Sequence, residues 1–168
     1  MTRTSAKALA VARPVIQFLT ALNVLYALGI AGLLAYSFFA ADWLVQLGFV
    51  PADALSLRLG LRAIMVVGVV CAVIAHTILR RLLAIVHTVH VGDPFILENA
   101  RRLHIIAWSV TALEGLRLIV GTIAATVWQS GNIETFAIAP WLAVLLLFVL
   151  SGVFARGAQM RADLEGTV

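Results

Sequence analysis

Four long apolar runs separated by short polar stretches set the pattern of this chain, near Val15–Ala40, Ala63–Leu79, Ile105–Val127 and Ile138–Ala155. About 20 helical residues cross ~30 Å of hydrocarbon, so each run reaches the length of a membrane span. An unpaired backbone group in lipid costs several kcal/mol, and no run alternates as a barrel strand would, so the spans are expected to be helices. The pattern predicts an all-α integral membrane protein with four transmembrane helices, forming one membrane domain over residues 1–168. Arg3, Lys7 and Arg13 before the first run superficially suit a secretory signal. The run is much longer than the ~7–15 apolar residues of a signal peptide, and no small-x-small cleavage site follows before Asp42, so a retained span is expected.

The polar connection Arg80–His104, RRLLAIVHTVHVGDPFILENARRLH, is periodic. Leu79, Leu82, Leu83, Val86 and Val89 follow helical spacing, with Arg80, Ala84, His87 and Val91 on another face, so the second span is expected to continue to about His90. Gly92 then supplies a C-terminal cap, and Asp93-Pro94 a turn whose proline suits the opening of a helix. A second helix is expected from about Leu97 through Glu98, Arg101 and Arg102 into the third span, with Glu98 placed for the helix dipole. The pattern thus predicts a helical hairpin over about 80–104, followed after the fourth span by a tail, 156–168. Phe95 and Ile96, apolar within the turn, are expected to tuck against the bilayer surface or the tail, or to dock a partner.

Composition agrees, with 62% hydrophobic and 12% charged residues and a mean hydropathy of +1.05. No room is left for a substantial soluble module. With the N-terminus inside, the cytoplasmic pieces carry Arg3, Lys7, Arg13, Arg80, Arg81, Arg101, Arg102, Arg156 and Arg161, against Arg58 and Arg62 outside. This positive-inside bias predicts that both termini are cytoplasmic. Trp43, Trp128 and Trp141 fall at outer boundaries and Trp108 near an inner one, as an interfacial belt would place them. The net charge of +4 and pI of about 10.2 call for no direct nucleic-acid partner. The lipid bilayer is the expected partner, because positive-inside anchoring and anionic lipids account for the charge.

Little catalytic chemistry is legible. Cys71 is the single cysteine, so no disulfide within the chain and no CxxC site can form. There is no GxSxG, Walker loop, GxGxxG, HExxH or CxxCH, and no paired-carboxylate arrangement, so neither a catalytic residue nor a resident cofactor is expected. His76, His87, His90 and His104 lie toward the inner half, and His87 with His90 at i, i+3 could share an ion, but no carboxylate or cysteine accompanies them at ligand spacing. Glu114 and Arg117 share a face of the third span near mid-bilayer, where a lone charge costs ~2.5–3.5 kcal/mol, so both are expected to face protein and to pair. Asn23 and Tyr26 of the first span reach similar depth and are the expected neighbours of that pair. The four form a candidate intramembrane polar cluster, read either as a structural pair fixing spans one and three or as a relay or binding site. Gly29, Gly32, Gly115 and Gly121 leave room for close helix approach and a homo-oligomer, although no GxxxG occurs in the spans. The absence of an internal repeat weighs against an inverted-repeat transporter.

Gly92–Leu103, GDPFILENARRL, together with Phe154–Val168, FARGAQMRADLEGTV, resembles the bacterial membrane family termed domain of unknown function 2975. The resemblance implies a small multi-pass protein of the bacterial inner membrane, often encoded beside a short helix-turn-helix regulator, with no catalytic residues to carry over. Gly92, Asp93, Pro94, Phe95, Asn99, Arg101 and Arg102 are then the candidate docking residues. The leading expectation is a non-enzymatic membrane protein whose hairpin and tail bind or sequester such a regulator. The alternative is a small oligomeric transporter or channel subunit using Glu114 and Arg117, and a third reading is a haem or quinone redox protein.

Overall fold

The computed structural model describes residues 3–40, 43–46, 48, 54–92, 94–128 and 137–165. These form α1 (Arg3–Phe39), α2 (Trp43–Gln46), α3 (Ala54–Val91), α4 (Leu97–Trp128) and α5 (Ile138–Glu165). All but α2 are long and apolar enough to cross a membrane. Proline leaves the helices largely uninterrupted. Pro94 lies in a turn and Pro140 in the first turn of α5, where a missing N–H costs little, and among the described residues Pro14 alone lies in a helix beyond its first turn.

Each of the four expected spans coincides with one long helix, the first falling one residue short at Phe39, and each of these helices overruns its apolar run at one end or both. At 38 residues, α3 is about 57 Å long. The hairpin is present as the periodicity predicts. α3 ends at Val91, Gly92 turns the chain with φ +96°, and α4 begins at Leu97. The tail expected after residue 155 is not a separate segment, because α5 continues through it to Glu165.

Packing follows chain order. Among the described residues the extensive helix contacts are α1 on α3, α3 on α4 and α4 on α5, a row with α1 and α5 at its two ends. Small side chains permit the close approach, with Ala72, Ala100 and Ala107 buried along the seams. The register is set by contacts between neighbours: Asn23 against Ala72, Asn99 against Thr88, Arg102 against Ala84 and Ser151 against Ala100.

A knot of apolar side chains closes the end opposite the hairpin. Trp43 and Leu44 of α2 bury against Met65, with Ile30, Leu34, Leu57 and Leu61 around them. Trp43 was expected at a lipid boundary, but α2 turns it inward against Met65, where it is 2% exposed. Nearby, Arg62 donates from Nε to Ser37 Oγ (3.2 Å) and from Nη2 to the Ser37 carbonyl, while its guanidinium lies 4.3 Å from the Phe38 ring centre. A cation thus sits on the last turn of α1, where the helix dipole favours it.

Candidate functional site

The hairpin is held from within by Asn99. Its side chain is fully buried, at 0% exposure. Nδ2 donates to Thr88 Oγ1 (2.7 Å) across the α3–α4 seam and to the Pro94 carbonyl (2.9 Å) in the turn, while Oδ1 accepts from Arg102 Nη1 (2.9 Å). Arg102 also reaches the Ala84 carbonyl (3.4 Å) and pairs with Glu98 (3.6 Å). One amide therefore ties two helices, their turn and a cation into a single node. Asparagine suits the task because it offers two donors and an acceptor without a charge to bury.

α5 braces this node from the other side of α4. Ser151 Oγ donates to the Ala100 carbonyl (3.0 Å), where a buried hydroxyl needs a partner. The Phe95 ring packs on Phe154 with centroids 5.2 Å apart, and a Cβ on Gly157 would lie 3.0 Å from Phe95 Cδ1. Any side chain there would press on the ring, which would have to give by a few tenths of an ångström. Of the places expected for Phe95, the structure shows the tail. Phe148 takes edge contacts from His104 and Trp108, and Trp108 Nε1 donates to His104 Nε2 (3.2 Å).

The candidate docking residues therefore separate. Asn99 is enclosed and cannot touch a partner, a correction that follows from its three internal hydrogen bonds. Arg102 is largely committed to the same node. Gly92, Phe95 and Arg101 remain exposed, Phe95 at 45% despite its contact with α5, and Pro94 is half-buried. Asp93 lies outside the described residues.

The expected polar cluster forms as two separate pairs. Arg117 Nε meets Glu114 Oε2 at 2.9 Å within α4. Asn23 and Tyr26 instead face α3: Asn23 Nδ2 donates to the Ala72 carbonyl (3.0 Å), and the Tyr26 hydroxyl lies beside Gly68. The reason is topological, since α3 stands between α1 and α4. Nor do both charges face protein, for the Glu114 side chain is 13% exposed and that of Arg117 41%.

The feature that sequence reasoning missed is the outer face of α5. Ile138, Leu142, Leu145, Leu146, Val149, Val153, Met160 and Leu164 are each more than half exposed and recur at helical spacing. They form one apolar stripe about 39 Å long, interrupted by Arg156. The register gives this stripe its meaning. With Ser151 at Ala100 and Phe148 at His104, residues 145–154 lie beside the first turns of α4, hence beside the end of α3 carrying Arg80 and Arg81. Periodicity revealed α5 as apolar, but not where along the row it would sit.

Among the described residues no group of three or more histidine, cysteine, aspartate or glutamate side chains is placed to hold a metal ion. No protein-family model matches the chain, and neither a curated protein nor a solved structure does.

Proposed function

We propose that this is a non-enzymatic multi-pass protein of the bacterial inner membrane whose hairpin and α5 form a rigid cytoplasmic platform for a soluble regulator. The placement rests on charge and length. Arg62 and Arg80 are about 27 Å apart along α3, close to the ~30 Å of a hydrocarbon core, and the arginine-rich end faces the cytoplasm by the positive-inside rule. From Arg80, α3 then runs about 16 Å further to Val91, outside the acyl chains.

The single observation carrying the reading is the uncovered apolar stripe of α5 at that level. On that placement only Ile138–Leu145, about 10 Å of α5, lies within the acyl chains, so α5 enters the hydrocarbon without crossing it. Lipid tails then leave the rest of the stripe beside Arg80, Arg81, Arg101 and Arg102 uncovered, and a contiguous apolar patch in water marks an interaction site. An amphipathic helix laid along the stripe satisfies it, the usual mode by which a helical groove takes a helical partner. The resemblance of the turn and tail to domain of unknown function 2975 supplies the partner class, a short helix-turn-helix regulator held at the membrane.

The test is photocrosslinking in cells, with a benzophenone amino acid at Val149 or Met160 and, for comparison, at the lipid-facing Leu28. Adducts to one soluble DNA-binding protein at Val149 and Met160 but not Leu28 are expected. Adducts only to a second copy of the chain, or the same pattern at all three positions, would overturn the reading.

The exposure of Arg117 favours a second reading, a small oligomeric transporter or channel subunit. It lies about 22 Å along α4 from Arg102, deep in the span, where a charge partly turned away from its own protein is costly unless a neighbouring subunit or water meets it. Ion flux into liposomes that disappears in Glu114→Gln supports this alternative, and protein-independent flux removes it.

A further inference from the structure

A concave site opens where the start of α1 meets the end of α3. It encloses about 590 Å³ and is lined by Arg13, Pro14 and Gln17 from α1 and by Arg80, Leu83, Ala84, Val86, His87 and His90 from α3. Its chemistry is one-sided. Two arginines and two histidines line it, and among the described residues no carboxylate lines it and none of these four side chains has a hydrogen-bond or ion-pair partner. Arg102, by comparison, is satisfied by Glu98, Asn99 and Ala84. The same lining also carries apolar side chains, Pro14, Leu83, Ala84 and Val86.

Unpaired cations beside apolar side chains in one pocket match an amphiphile with an anionic head. We infer that this pocket binds the phosphate group of an anionic phospholipid, with Arg13 and Arg80 as its principal contacts and His87 and His90 as further donors. Guanidinium groups present N–H pairs that match phosphate oxygens. The location agrees, because Arg80 marks the inner edge of the span in the placement proposed above, the level at which lipid headgroups lie. The site itself stands on the converging side chains and does not depend on the regulator. A phosphate ester is also carried by soluble metabolites, so the source must be separated by experiment.

Native mass spectrometry of the full chain in a neutral maltoside detergent provides the test, with phosphatidylglycerol, phosphatidylcholine and diacylglycerol as probes and inorganic phosphate as competitor. Phosphatidylglycerol is expected to bind while diacylglycerol does not. Binding should fall about fivefold for each of Arg13→Gln and Arg80→Gln, at ~1 kcal/mol per cation near a surface. Arg101→Gln, an exposed arginine outside the pocket, should bind as the wild type does. His87→Gln with His90→Gln gives a second, independent reduction that leaves both arginines in place. Competition by inorganic phosphate at millimolar concentration with no lipid preference would assign the phosphate to a soluble source and overturn the lipid assignment. Equal binding of phosphatidylglycerol by the wild type and the folded double arginine variant would overturn the site.

Discussion

Replacing Asn99 by alanine tests the internal node of the hairpin. The substitution removes two donated hydrogen bonds and one accepted from Arg102, and it leaves the Pro94 carbonyl and the Arg102 guanidinium each short of a partner. Net values of ~1 kcal/mol per neutral bond and ~1.5–3 for one to a charged group sum to roughly 3–5 kcal/mol. Water entering the space left by the side chain recovers part of this, so about 3 kcal/mol is expected. Because the loss is local, it should appear as opening of the hairpin rather than as global unfolding. At 1.4 kcal/mol per tenfold, amide exchange across Leu97–Leu103 in the solubilised protein accelerates roughly 100-fold. Asn99→Asp discriminates further. It keeps the shape and turns the Arg102 contact ionic, but a carboxylate has no N–H to donate, and the Thr88 hydroxyl, which already donates to the Ile85 carbonyl (2.8 Å), does not donate in its place. About tenfold acceleration is expected for it. Exchange within threefold of wild type in Asn99→Ala, or equal effects of Ala and Asp, would refute the node.

Substitutions at three further places probe the hairpin and the opposite end of the row. Gly157→Leu should displace Phe95, lowering the melting temperature of the detergent-solubilised protein, and Phe95→Ala should restore tolerance of that leucine; additive losses would mean the two positions are not in contact. Gly92→Val forces a β-branched residue to φ +96° and should weaken the hairpin by about 1–3 kcal/mol, measured by exchange of its flanking amides, whereas Gly92→Asn should cost less. Arg62→Gln removes the cation from the last turn of α1 and from the Phe38 face, and about 2 kcal/mol is expected in chemical denaturation; an unchanged midpoint would show that this clamp adds nothing measurable.

What could be read from the sequence was local. The hairpin boundaries at Val91, Gly92 and Leu97 follow from periodicity, one glycine and one proline, all signals carried by adjacent residues. What escaped was lateral. Spacing puts Asn23 and Glu114 at similar depths, but it does not say that α3 stands between their helices. Asn99 looked like an exposed polar residue near a turn, because nothing in its neighbourhood shows that Thr88 lies across the seam to receive it. Trp43 fits a lipid belt by position, and nothing adjacent to it shows that its four-residue helix turns it in against Met65. The stripe on α5 was visible as hydrophobicity and was absorbed into a span, since only contacts with Ala100 and His104 fix its height in the row.

The platform requires residues 145–154 of α5 to lie outside the acyl chains, and spin-label accessibility measures this directly. With Cys71 replaced by serine, single labels at Val149, Val91 and Leu28 in liposomes are compared for relaxation by oxygen, which concentrates in lipid, and by a water-soluble nickel chelate. Val149 should resemble Val91, with nickel dominating, while Leu28 is dominated by oxygen. An oxygen-dominated label at Val149, matching Leu28, would place the stripe in the bilayer and contradict a cytoplasmic docking face.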